Sequence, residues 1–423
     1  MKDEKAFRKA QWKFIFCSMI AYAFFYVTRK NLSMAQPGML EEGVISTYAL
    51  GTIMTVHGVV YGCSRFVNGF WADRLNGRIF MTVGLALSAA MNFLFGCTSL
   101  SLLFAAFWIV NGFTQGMGFP PCAKMLTHWI HPKELATKMS IWNTSHSFGA
   151  VMALGLCSLL FAIGLNWRWC FWVPAALAGL AAVFCFFCVH DSPTEAGVEE
   201  LEIASDTQTL KHSNVQTITT ADRRRLVFGN KVIWLVSIAN FFVYIVRFGF
   251  LDWGPTFLKQ FKGIPVAKGG LMIIAFELAA VVGTIFAGWI TDKVFKGRGQ
   301  RTCVFCMLFA ALFSFGFWCL PNGAPGWQAT LLLMGAGFCI YGPQALIGIV
   351  AANQATKEAA AMANGFTGIM GYASTTVSGI GIALIKENFG WGVTLGAISG
   401  FALVGMVLFL FAWNSSANGY KRT

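Results

Sequence analysis

The chain has 423 residues, of which 56% are hydrophobic and only 12% charged, with a mean hydropathy of +0.62. That leaves too few polar side chains to coat a water-soluble globule of this length, so composition points to a polypeptide that crosses a bilayer many times. The formal net charge of +13 does not gather into a patch suited to nucleic acid; its lysines and arginines alternate from one connection between apolar runs to the next.

Apolar runs reaching the roughly 20 residues that a bilayer requires lie near 13–36, 48–72, 79–98, 102–126, 138–165 and 169–189. A second set follows near 232–257, 268–291, 302–321, 327–352, 359–385 and 391–413. The expected fold class is an all-α membrane protein with twelve transmembrane helices, as a six-helix bundle over 1–190, a polar cytoplasmic linker over 191–230 and a second bundle over 231–423. Basic residues crowd the N-terminus (Lys2, Lys5, Arg8, Lys9, Lys13), alternate loops (Arg74, Arg78; Lys133, Lys138; Arg223 to Arg225; Lys293, Lys296, Arg298, Arg301) and the last residues, Lys421 and Arg422. By the positive-inside bias these segments face the cytoplasm, which puts both termini inside and the chain in the cell (inner) membrane as a multi-pass protein. The outward trio Lys259, Lys262 and Lys268 weakens this bias without reversing it.

The first run carries Tyr22-Ala-Phe-Phe-Tyr26-Val-Thr-Arg29-Lys30, and a guanidinium within an apolar span is costly unless it has a partner or a task. Near the start of the second half the chain repeats itself in Tyr244-Ile-Val-Arg247. Lys30 is read as reaching the membrane interface, while the repetition argues that Arg29 and Arg247 point inward. Other landmarks share the period: Asp73 and Asp292 are 219 residues apart, Arg29 and Arg247 218, Pro121 and Pro343 222, and Asn143 and Asn364 221. The halves are copies of one six-helix unit, so the two bundles are expected to be pseudo-symmetric.

Tyrosine is scarce, eight against 41 phenylalanines, so the hydroxyls at Tyr22, Tyr26, Tyr61, Tyr244, Tyr341 and Tyr372 are polar points in a chain that otherwise chooses Phe. Tyr22 and Tyr26 are one helical turn apart and share a face, with Arg29 on much the same face. Most of the twelve cysteines fall inside apolar runs and read as small hydrophobes. His128 and His131 form an HxxH without a third ligand, no phosphate-cradling glycine loop precedes a lysine, and no nucleophile and base pair stands out. No metal, cofactor, direct ATP coupling or enzymatic activity is therefore expected.

The sequences Gly69-Phe-Trp-Ala-Asp73-Arg74-Leu-Asn-Gly77-Arg78 and Gly288-Trp-Ile-Thr-Asp292-Lys293-Val-Phe-Lys-Gly297-Arg298 resemble the signature loop of the major facilitator superfamily. We read Asp73, Arg74, Asp292 and Lys293 as cytoplasmic latch residues that control gating. Together with Arg29-Lys30-Asn31, Trp142-Asn143-Thr-Ser-His146, Tyr244 to Gly249, Asp252-Trp253, Tyr341-Gly342-Pro343 and Gly365-Phe-Thr-Gly368, they make the chain similar to the organophosphate:inorganic phosphate antiporters over nearly its whole length. That resemblance implies that Arg29 and Arg247 hold the phosphate between the two halves, that His146 sits beside it, and that the six tyrosines, Asn143 and Glu277 belong to the substrate site. Arg65 stands where relatives have lysine. Two roles remain open on the residues alone: His146 is a site residue or a satisfied structural histidine, and Glu277 meets substrate or pairs with a core arginine.

The function so implied is a secondary transporter, a functional monomer, that exchanges an external sugar phosphate for internal inorganic phosphate by alternating access. Hexose 6-phosphate is favoured as the organic cargo. Glycerol 3-phosphate and phosphoglycerate are alternatives, because Ser374-Thr-Thr-Val-Ser378 lacks the acid and lysine that hexose-phosphate carriers can have there. A membrane sensor acting through a partner kinase is a further alternative. Repulsion among Arg29, Arg247 and Arg65 in an empty site would disfavour return without cargo, and bound phosphate would reverse its sign.

Overall fold

The computed structural model describes residues 2–72, 74–130, 132–198, 220–355 and 359–416. These are predominantly helical, with no strand among the described residues. In chain order the helices are α1 (Lys2–Glu41), α2 (Thr47–Ala72), α3 (Gly77–Cys97), α4 (Ser101–Gln115), α5 (Phe119–Trp129), α6 (Pro132–Asn143), α7 (Ser145–Ala162) and α8 (Trp169–Cys188). They continue as α9 (Thr220–Phe228), α10 (Lys231–Gln260), α11 (Val266–Lys293), α12 (Gly299–Cys319), α13 (Gly326–Gln354), α14 (Ala360–Ala373) and α15 (Ile382–Phe411), with a π-helical turn at Val377–Gly381.

Ten segments among the described residues are long and apolar enough to cross a membrane. One of them, Met362–Phe411, is 50 residues long and is broken at Gly390, whose φ of 76° is non-helical. Counted as two, and with the more polar α2 added, the set is consistent with the twelve spans expected from sequence. The fourth and fifth spans are each interrupted: Ser101–Trp129 between α4 and α5 around Gly116 to Gly118, and Ile141–Ala162 at Thr144 between α6 and α7.

Packing divides the chain into two compact units. The first comprises Met1–Ala35 and Val60–Thr217. Its centre is a polar network among α1, α3 and α4: the hydroxyls of Thr28 and Ser88 are 2.9 Å apart, Ser88 donates to Asn111 Oδ1 at 2.6 Å, and Gln115 donates to Ser88 at 2.9 Å. Asn31 donates to Asn92 at 2.8 Å and to the Cys170 carbonyl of α8 at 2.8 Å. Away from water such groups must satisfy one another, so the network fixes the register in which the helices pack. Aromatic layers flank it, with Phe95 against Phe171 and Phe104 at centroid distances of 4.4 and 4.6 Å and Phe14 stacked on Trp129 at 5.0 Å. Lys30 is 5% exposed, buried within this packing instead of reaching outward as expected.

The second unit comprises Gln36–Val59 and Ile218–Thr423, so the end of α1 and the start of α2 pack with the C-terminal helices. Small residues make this possible. A Cβ at Gly51 would lie 2.5 Å from Ala383 Cβ, and one at Gly379 would lie 2.3 Å from Thr55 Oγ1. In the π-helical turn the Ile380 amide donates to Thr55 Oγ1 at 2.9 Å, while Thr55 donates to the Thr375 carbonyl at 3.2 Å. π-turns of this kind locally rewire the backbone ladder. Elsewhere in the unit, Asn230 caps α10 by accepting from Val232 N at 2.9 Å, and its Nδ2 holds the Gln354 carbonyl at 3.0 Å.

Candidate functional site

Each unit holds one cluster around an arginine. In the first unit α1 brings Tyr22, Tyr26 and Arg29 to one face. The Arg29 guanidinium lies 4.2 Å from the Tyr61 ring centroid and 5.5 Å from that of Tyr26. Arg65, one turn along α2, lies 5.9 Å from the same Tyr61 ring and 4.7 Å from Phe119. Tyr61 therefore sits against both cations, and the aromatic faces stabilise charge without neutralising it.

His146 joins through Tyr26, with ring centroids 5.8 Å apart. Its Nδ1 bonds the Asn143 carbonyl and its Nε2 lies 3.3 Å from Ser147 Oγ. The Asn143 side chain is exposed, so the contact recorded for this residue is made by its backbone. Tyr22 packs 4.7 Å from Trp142, whose indole donates to Ser18 at 3.1 Å.

In the second unit, Arg247 of α10 is 8% exposed. Its guanidinium lies 4.7 Å from the Tyr341 ring of α13, and the Tyr341 hydroxyl donates to Glu277 Oε1 of α11. Glu277 is 1% exposed. A buried carboxylate needs donors and a nearby cation, and this relay supplies both, which places Glu277 beside the core arginine. Arg247 Nε has no hydrogen-bond partner among the described residues. Tyr244 lies one turn before Arg247 at 5.8 Å from the guanidinium and packs 6.2 Å from Tyr372, so all five substrate-site residues expected in this half gather here.

The structure thus brings Tyr22, Tyr26, Arg29, Tyr61, Arg65 and His146 together in one unit, and Tyr244, Arg247, Glu277, Tyr341 and Tyr372 in the other. Of the expected latch residues, Asp73 lies outside the described residues. Arg74 stacks on Phe70 at 3.9 Å, and Asp292 and Lys293 are exposed at the end of α11. Two acids that sequence reasoning passed over act at the first signature loop: Asp191 accepts from Gly77 N at 2.7 Å and lies 3.8 Å from Lys124, and Glu195 pairs with Arg78 at 2.8 Å. Both lie in the stretch read as linker, where only their proximity in the fold to the start of α3 reveals the role. Asp191→Ala is expected to cost about 1 kcal/mol, the usual effect of losing a helix N-terminal acceptor, and to lower the melting midpoint of the purified protein; an unchanged midpoint would show that this contact adds nothing.

Residues 18–379 match the family model of the Major Facilitator Superfamily. The chain is 33% identical to a probable hexose phosphate transport protein of Chlamydia muridarum, over 98% of this chain and 94% of that one. It is 33% identical to a glycerol-3-phosphate transporter of Bacillus subtilis, covering 98% and 95%, and 32% identical to the membrane sensor protein UhpC of Escherichia coli, covering 92% and 89%. In fold it superposes on a bacterial homologue of the human lysosomal transporter Spinster with a TM-score of 0.79 at 13% identity, covering 95% of this chain and 97% of that one. Two arginine clusters on a duplicated helical frame, these full-length relatives and this fold agree: the chain is no enzyme but a multi-pass membrane protein that belongs to the Major Facilitator Superfamily, in the branch of its organophosphate transporters and sensors.

Proposed function

We propose that this chain exchanges an external sugar phosphate, hexose 6-phosphate by preference, for internal inorganic phosphate by alternating access, as a monomer in the inner membrane with both termini in the cytoplasm. The observation that carries the reading is Arg247, a buried guanidinium whose Nε has no acceptor among the described residues. Its Tyr341 contact is already shared with Glu277. A phosphate dianion supplies the missing acceptor, and arginine binds it in short, often bidentate, charge-assisted bonds. Arg29 plays the corresponding part in the first unit, with Arg65 as a further cation and Tyr22, Tyr26, Tyr61, Tyr244, Tyr372, Asn143 and His146 as polar lining. The hexose-phosphate, glycerol-3-phosphate and phosphoglycerate carriers among the relatives support an organic phosphate as the cargo.

Proteoliposomes loaded with labelled phosphate test this. Efflux is expected to be fast with phosphate or glucose 6-phosphate outside and at least ~10-fold slower into empty medium, because in this reading a bound anion favours the closing step and an empty site lacks that contribution. Glucose 6-phosphate is expected to compete better than glycerol 3-phosphate or 3-phosphoglycerate. Equal efflux with and without external substrate would reject exchange. Similarity to a membrane sensor favours one second reading, in which the same residues bind sugar phosphate to signal through a partner kinase; binding without flux in these vesicles would establish it.

A further inference from the structure

A cavity of about 240 Å³ opens within the second unit between α10, α13 and α14, lined among others by Asn240, Tyr244, Gln344, Gly348, Asn364 and Thr367. Apart from Tyr244, none of these belongs to the arginine cluster. Asn240 is 5% exposed, and its Nδ2 donates to the Thr367 carbonyl at 2.8 Å. Because a carbonyl can only accept, that bond fixes the orientation of the amide and turns Oδ1 away, where it has no partner; Gln344 Oε1 is buried and unpartnered as well. Two residues of one polar cavity thus each carry an amide oxygen without a partner, and such groups call for a ligand that donates.

We infer that this cavity receives the hydroxyl-bearing, organic part of a phosphorylated sugar whose phosphate is held at Arg247. The inference rests on the proposed phosphate role of Arg247 and adds to it the chemistry of the rest of the cargo. A phosphate dianion has no hydrogen to give, so it leaves both amide oxygens unsatisfied, whereas sugar hydroxyls donate to them.

The spacing fits one molecule spanning both places. Asn240, Tyr244 and Arg247 follow one another along one face of α10, and seven residues of helix advance about 10 Å. On α13 the order Tyr341, Gln344, Gly348 runs from the guanidinium to the cavity in the same way. Tyr244 touches both regions, with its ring 5.8 Å from the Arg247 guanidinium and its side chain on the cavity wall. A hexose phosphate extends far enough from phosphate to distal hydroxyl to use both regions, and glycerol 3-phosphate falls short. Gly348 lets the Asn364 side chain come close to the α13 backbone at the wall: a Cβ there would lie 2.8 Å from Asn364 Oδ1.

The test is thermal stabilisation of the purified full-length protein by glucose 6-phosphate, its deoxy analogues, glycerol 3-phosphate and inorganic phosphate, for the unaltered chain and for Gln344→Met, which keeps side-chain length and removes the acceptor. In the unaltered chain, half-maximal stabilisation is expected at lower glucose 6-phosphate than glycerol 3-phosphate, and at least one deoxy analogue is expected to require about tenfold more. In Gln344→Met the glucose 6-phosphate requirement is expected to rise about tenfold and that for inorganic phosphate less than twofold. Equal losses for both ligands, or no loss for either, would overturn the inference, and so would deoxy analogues that all match glucose 6-phosphate on the unaltered chain, a comparison that needs no variant. Because the readout is binding, a failure of exchange in vesicles would reject the antiport reading and leave this result standing or falling by itself.

Discussion

Replacing Arg247 by lysine is expected to lower phosphate exchange roughly 100-fold, a loss of about 2.7 kcal/mol of transition-state stabilisation. Charge is conserved in this change, so the effect isolates geometry. The guanidinium lies against the Tyr341 ring while its Nε remains available to a ligand. An ammonium is a compact point donor and cannot serve both from one position. Its loss also leaves the Tyr341 and Glu277 pair facing a cation of different reach, which adds a desolvation cost. Arg29→Lys is expected to act in the same direction and less strongly, because Arg29 rests on the rings of Tyr26 and Tyr61 and lysine retains part of a cation–π contact. Initial rates in proteoliposomes at matched protein density decide the matter, with thermal midpoints as a check on folding. Exchange by Arg247→Lys within threefold of the unaltered rate would remove Arg247 from the phosphate site.

Gly283→Val is expected to abolish accumulation of folded protein. A Cβ at Gly283 would stand 1.9 Å from the Phe338 carbonyl oxygen, and one at Gly337, on the facing helix, would stand 2.4 Å from the Phe276 carbonyl oxygen. Here α11 and α13 meet backbone to backbone, so no side chain can rotate aside. Overpacking a rigid contact costs ~1–3 kcal/mol even where side chains yield, and separating two helices along their length costs more, because membrane helices are held together mainly by close packing. The control is Gly365→Ala: a Cβ there meets nothing within 4 Å, and its expected change in melting midpoint is close to zero. Size-exclusion profiles of both variants in detergent provide the measurement. A monodisperse Gly283→Val protein with an unaltered midpoint would show that the helices separate at little cost. Glu277 and Tyr341 lie on the two helices that make this packing, so failure here would also disperse the second cluster.

Sequence by itself determined the membrane class, the spans and the duplication, because these depend on local composition and on periods counted along one chain. It also singled out the two arginines and most of their tyrosine partners, since a cation or a hydroxyl in an apolar run is costly wherever it lies. Tertiary structure decided what depends on residues far apart in the chain. Glu277 meets Tyr341 across 64 positions, Asn31 meets Cys170 across 139, and Ile380 meets Thr55 across 325; no periodicity records such pairings. Lys30 is buried although long basic side chains near a span's end ordinarily reach outward, because the face of α1 that carries it packs inside the first unit. The acids Asp191 and Glu195 look like part of a solvated linker until the fold brings them to the start of α3. Asn240 and Gln344 are unremarkable amides in sequence, and only burial distinguishes an unpartnered oxygen from a hydrated one. Side-chain chemistry limits what a residue is able to do and is legible in one dimension, whereas the partner that makes a buried polar group stable is fixed by helix packing.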